Sequence, residues 1–329
     1  MTDQPNRSTG WLVSFEYDLC FIINLWWIPL AFICVILDST ETVGFWQIYL
    51  LTTPHRWITP FLVAADPDRR TFGIVPLALV ASAIVMLVLG LKFTLGQMAP
   101  LILIDAIWNG WHFGSQHAGI AAVYCNGRSW MMRNVGKHIL RFAIFTVAMR
   151  ALGWNSDIGS SLGLPSWIIP IADIGTLIGL ASVALLAWID RVNFSLAGAG
   201  YVFSVSLAYS MLVLAIRSGE KRLILAMAMA TACMHAGEYL AFIGYYSSRR
   251  QTRGSEGIFR AMATRWTIVL TTFLLFSCFL ATLMEWISPE WFAVLNISSA
   301  LIHYAFDGLI WRLRRPDTAA VFHTAGSLS

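Results

Sequence analysis

The sequence predicts an all-α, polytopic integral membrane bundle, and three observations carry that expectation. Of 329 residues, 57% are hydrophobic and only 12% are charged, about half the roughly 25% that soluble domains carry. Apolar runs of about 20 residues, the length that crosses a bilayer, recur along the chain. Lys and Arg gather in alternate loops, which is the pattern that marks a cytoplasmic face. A chain so poor in polar groups has no means of covering its own surface, so its outer solvent is largely lipid. The 15 Trp agree, because amphipathic rings collect at headgroup level.

The chain opens with a polar segment, 1–14, beginning MTDQPNRSTG. No small-residue cleavage site follows the first apolar run, so that run reads as a retained span rather than a signal peptide. Ten spans are expected, over 15–37, 43–65, 72–94, 98–124, 136–154, 166–189, 194–216, 222–246, 266–287 and 291–312. They form one bundle over 15–315, followed by a polar tail, 316–329. Basic loops at Asp66–Arg70, Arg128–Arg141, Arg191, Arg249–Arg265 and Arg312–Arg315 are assigned to the cytoplasm. Asp38–Glu41, Asn155–Ser161 and Ser288–Glu290, poor in Lys and Arg, are assigned outside. Both termini are then cytoplasmic, and a bacterial inner membrane is the expected location. One loop disagrees: Arg217–Arg222 (RSGEKR) falls outside with three basic residues, unless one of spans six to eight is re-entrant. Five scattered Cys with no CxxC pair argue against a disulfide framework or zinc ribbon. The net charge of +4 reports topology, and no nucleic-acid partner is expected.

Four of the seven histidines stand near the middle of an even-numbered span: His55 in TTPHRW, His112 in WNGWHFGSQHAG, His235 in MHAGEY and His303 in LIHYAFDGLIW. Each lies 12–14 residues past the outer end of its span. At about 1.5 Å per residue, that is roughly 20 Å of depth for all four. Helical spacing adds polar company. Asp105, Asn109, His112 and Gln116 share one face of span four, as Asn296, Ser299, His303 and Asp307 do in span ten. His235 and Glu238 are i, i+3 neighbours. His117 lies about 140° around an ideal helix from His112, and joins it only if Gly114 or a π-bulge rewinds the turn. Pro54 opens the hydrogen-bond ladder beside His55, and Arg56 follows.

An ionisable side chain at this depth costs about 2.5–3.5 kcal/mol on the lenient insertion scale. A bundle that keeps Arg56, Asp105, Glu238 and Asp307 there must pair them, hydrate them or coordinate something with them. Imidazole plus carboxylate without thiolate suits iron, zinc or manganese, and two His with one carboxylate suit non-haem Fe(II). The expected metal ligands are His55, His112, His117, His235, Glu238, His303 and Asp307. Asp105 and Arg56 are the expected catalytic helpers, orienting ligands or delivering protons. His138 reads as interfacial, His323 as solvated, and Asp173 as a buried polar contact.

The string HFG at His112, with histidines on several helices, resembles the membrane-embedded carotene dioxygenases of the Brp/Blh type. That resemblance implies a polytopic helical fold with an iron centre held by intramembrane histidines. TTPHRW departs from that family's first His motif, and HFGSQH lacks the acid after HFG. The HxxHH cluster of membrane desaturases is absent.

The expected function is a metal-dependent oxidoreductase or oxygenase, with mono- or dinuclear iron, acting on a lipophilic substrate that arrives from the lipid bilayer. An electron donor protein is an expected partner. Two other classes use the same residues: a carrier with b-type haem on two histidines, and a proton-coupled transporter. Zinc is the alternative ion.

Overall fold

The computed structural model describes residues 10–37, 45–66, 73–96, 99–125, 129–153, 165–252 and 258–311. The expected loops 38–41 and 155–161, Arg128, Arg312–Arg315 and the tail with His323 lie outside these residues. Among the described residues the structure is all-helical, without a strand. We number the principal helices α1 (Trp27–Leu37), α2 (Phe45–Ala65), α3 (Ile74–Leu95), α4 (Ala99–Cys125), α5 (Lys137–Ala151), α6 (Ile168–Ile189), α7 (Leu196–Ser218), α8 (Lys221–Thr252), α9 (Trp266–Ile287) and α10 (Pro289–Ile310).

Among the described residues, seven segments are long and apolar enough to cross a membrane: Phe15–Ile36, α3, α6, α7, Lys221–Arg249 of α8, α9 and α10. This is the mark of an integral membrane protein. Helices α2 and α4 carry the polar residues of the candidate site, and α5, with 15 residues, reaches only about 22 Å.

Local chemistry sets the helix ends. Ser288 precedes Pro289, which opens α10 at the position where a missing N–H costs nothing. The Ser195 hydroxyl accepts from Gly198 N at 3.1 Å and caps α7. Gly219, left-handed at φ 75°, ends α7 within RSGEKR. Spans six to eight are unbroken helices of 22, 23 and 32 residues, so the discordant loop is a tight turn between full-length helices.

The chain forms two compact units, Met1–Gln47 with Gly110–Glu238, and Ile48–Asn109 with Tyr239–Ser329. In the first unit, α5, α6 and α7 pack against one another over a core that includes Leu140, Ile144, Val147, Leu180, Val183, Val202 and Val205. Close backbone approach decides two positions. A Cβ on Gly114 would stand 2.5 Å from the Arg141 carbonyl oxygen, and one on Gly198 would stand 2.8 Å from Tyr124 Cβ. The AGAG stretch is thus a packing surface, as small residues are between membrane helices. Span one is broken: a π-turn at Asp18–Ile22 leads to Asn24, which takes φ 57°. Asn tolerates that conformation because its amide bonds locally. Here it donates to Met234 O at 3.1 Å and accepts from Trp26 Nε1 at 2.7 Å.

In the second unit, α10 packs against α3 and α9. Val88, Leu101, Val294, Ile297, Ala300, Leu301 and Tyr304 form its core. α3 and α9 are strongly apolar, yet only 11% of each spanning window is buried, against 61% for α10. Phe93, Leu275, Phe276 and Phe279 remain more than 60% exposed, a surface that only lipid solvates well.

Candidate metal-binding histidines

The second unit builds its site from α2, α8 and α10. The Pro54 and Pro60 rings stand inside α2 on either side of His55 and Arg56. His55 is 2% exposed and His303 is fully buried. Their rings meet edge to face, with centroids 4.5 Å apart. His55 Nδ1 lies 3.2 Å from Thr52 O. A carbonyl only accepts, so this contact places the proton on Nδ1 and the lone pair on Nε2.

Thr59, one turn beyond His55, organises the rest. Its Oγ1 lies 2.7 Å from His303 Nδ1 and donates to Asp307 Oδ1 at 3.2 Å. One hydroxyl carries one proton. Thr59 Oγ1 also lies 2.5 Å from the Tyr239 hydroxyl, which donates to Asp307; the Thr59 proton goes to one of these two oxygens, so Thr59 accepts from His303 Nδ1–H, and His303 Nε2 faces Asp307 Oδ2 at 3.7 Å. Tyr239, at 4% exposure, donates to Asp307 Oδ1 and receives Trp311 Nε1 at 3.1 Å. It also packs edge-on against His55 and His303, with centroids 5.2 and 5.1 Å away. His303 thus has the His55 ring against its own and the Asp307 carboxylate near its Nε2, and each of the three side chains carries a hydrogen bond.

Arg56 and Asp105 occupy other parts of the same unit. Arg56 Nη1 donates to Asn296 Oδ1 at 3.0 Å. The Tyr304 hydroxyl is shared between Asn109 Oδ1 at 2.9 Å and Asp105 Oδ1 at 3.2 Å. Spans four and ten therefore do present the expected polar faces, tied together by a tyrosine.

The first unit holds the other histidines. His112 and His235 are buried, with ring centroids 5.1 Å apart and a nitrogen of each within 4.8 Å of the other. His235 stacks on Phe113 at 3.9 Å and 19°, and its carbonyl oxygen accepts from Gln116 Nε2 at 2.9 Å. His117 is engaged differently. Helix α4 stays α-helical throughout, so Gly114 serves close packing and does not rewind the turn. His117 Nδ1 meets Glu238 Oε2 at 3.1 Å and the Tyr201 hydroxyl at 2.9 Å; its Nε2 meets the Tyr209 hydroxyl at 3.2 Å. Tyr201 donates to Glu238 Oε2 at 3.2 Å. Glu238 is thus bonded to His117, while its sequence neighbour His235 stands with His112.

Several participants went unnoticed in the sequence. Thr59 stands at i+4 from His55, so helical spacing alone places it on that face. Tyr239 and Tyr201 offered only their position in apolar helices. Asp18 is a carboxylate inside the first apolar run, which is itself the signal. It is fully buried and accepts from Leu12 N at 2.6 Å, Val13 N at 3.1 Å and the Tyr124 hydroxyl at 2.9 Å. Asp173, expected as a buried polar contact, forms a two-pronged pair with Arg150 at 2.8 and 3.0 Å.

Compared with protein-family models, with curated proteins and with solved structures, the chain matches none.

Proposed function

We propose that the protein is a metal-dependent oxidoreductase of the membrane interior, with iron as the best-suited ion and a lipophilic molecule as substrate. The observation that carries this reading is His303, buried with the His55 ring 4.5 Å from its own and Asp307 Oδ2 3.7 Å from its Nε2, together with the buried His112–His235 pair of the first unit. Two imidazoles and one carboxylate form a ligand set suited to non-haem Fe(II). Bound there, iron supplies the one-electron and dioxygen chemistry that no protein side chain offers. The chain's own residues do the rest. Thr52 and Thr59 set the imidazole tautomers, Tyr239 and Thr59 hold Asp307 in place, and the burial of His55 and His303 keeps bulk water from them. In the first unit His112 and His235 are the imidazole pair offered to a metal. His117 and Glu238 support that region through Tyr201 and Tyr209.

The lipophilic substrate class rests on the apolar outer surface of α3 and α9. In this reading the chain crosses a bacterial inner membrane ten times, with both termini cytoplasmic. The b-type haem alternative is less well supported, because centroid separations of 4.5 and 5.1 Å leave no room for a macrocycle between either histidine pair.

Metal analysis and an absorption spectrum of the purified protein test the proposal. Near-stoichiometric iron that falls when His55, His303 or Asp307 is replaced supports it. Iron content that these replacements leave unchanged, or a Soret band, refutes it.

A further inference from the structure

A second polar cluster lies in the first unit, at the shared end of α5, α6 and α7. Arg150 closes α5, Asp173 stands in the second turn of α6, and Arg217 ends α7. Asp173 is already satisfied by the two-pronged contact with Arg150. Arg217 Nη1 approaches the same carboxylate at only 3.6 Å and its side chain is 42% exposed. Arg150 Nη1 is buried and has no hydrogen-bond partner among the described residues. Two guanidinium groups against one carboxylate leave an excess positive charge, with spare donors.

The level of this cluster is set by Trp167, which precedes α6 and is 60% exposed, the position of an interfacial tryptophan. A groove of about 380 Å³ lies between α5 and α6, lined by residues including His138, Phe142, Thr146, Ala172, Gly175 and Thr176. Thr146 is one turn before Arg150, and Ala172 adjoins Asp173, so the groove begins where the charges are. Arg217 also opens RSGEKR, the one basic stretch that the alternation of loops assigns to the outer side. A ligand there supplies a reason for its charge.

We propose that this groove is a binding site for an anionic phospholipid, with the phosphate on Arg150 and Arg217 and an acyl chain along α5 and α6. Arginine suits the phosphate because its planar fork donates to two oxygens at once. The apolar groove accepts the chain, which neither inorganic phosphate nor a soluble phosphate ester offers.

Native mass spectrometry of the full-length protein, titrated with phosphatidylglycerol and phosphatidylcholine in detergent, tests this. Two variants separate headgroup from chain. Arg217→Gln removes the half-exposed guanidinium and leaves the Arg150–Asp173 pair intact. Gly175→Leu fills the groove, because a Cβ at Gly175 meets nothing within 4 Å. The expected result is preferential retention of phosphatidylglycerol. Arg217→Gln lowers that retention about fivefold, as one basic contact near a membrane surface provides. Gly175→Leu also lowers it, with the lipid-free melting temperature unchanged in both. Equal retention of the two lipids, full retention by either variant, or displacement of the lipid by inorganic phosphate alone overturns the proposal.

Discussion

His303 Nε2 and Asp307 Oδ2 face one another across 3.7 Å, one helical turn apart on α10. The distance is too long for a hydrogen bond, yet Thr59 fixes both partners so that lone pair faces lone pair. Such an arrangement gains from a cation placed on the face they share.

Replacing Thr59 with Val keeps the side chain's shape and removes the hydroxyl. His303 Nδ1 loses its acceptor, and the tautomer is no longer set. Metal affinity is expected to fall about 10–100-fold, the usual effect of losing an orienting partner. Competition with a chelator, read by metal analysis, checks it, and wild-type affinity in Thr59→Val would exclude the orienting role.

His117 and His235 are expected to respond differently to Ala. Truncating His117 leaves Glu238, Tyr201 and Tyr209 without a shared partner. The protein should lose about 1–3 kcal/mol of stability while its metal content is retained. Truncating His235 should lower the metal content. Thermal unfolding in detergent alongside metal analysis separates the two, and metal loss in His117→Ala would make His117 a ligand.

Arg150→Gln strips a buried carboxylate of its partner, and about 3–5 kcal/mol of destabilisation is expected. Arg217→Gln, at a half-exposed and more distant group, should cost no more than about 1 kcal/mol. Comparable melting temperatures for the two variants would count against this hierarchy.

Gly114→Ala drives a methyl group into the Arg141 backbone, and forcing α4 away from α5 should cost about 1–3 kcal/mol. Gly119→Ala, on the same helix with nothing within 4 Å of an added Cβ, should be neutral or stabilising by up to about 1 kcal/mol. The difference between the two melting temperatures is the readout.

Much of the helical framework was legible because span length and apolar character are one-dimensional signals. Each of the ten expected spans holds a helix, and seven segments meet the criteria of a crossing among the described residues. Span one was legible as apolar but not as broken. Its π-turn and left-handed Asn24 lean on partners far along the chain, Tyr124 for Asp18 and Met234 for Asn24. Periodicity also found the polar faces of α4 and α10. It did not reveal which residue each histidine meets, because that depends on how helices pack. His117 illustrates the point: its angle from His112 was readable, but its tyrosine partners on α7 were not. The i, i+3 spacing of His235 and Glu238 likewise suggested a joint role, whereas each turns to a different residue of α4.

The buried carboxylate of Asp18 is held by the backbone of Leu12 and Val13, and Gly10, at φ 75°, lies against Ser195 at the cap of α7. Residues 10–13 are therefore tied to the body of the first unit. Trimming them, or fusing a rigid partner close to residue 10, would strand a carboxylate in an apolar setting and loosen the start of α7.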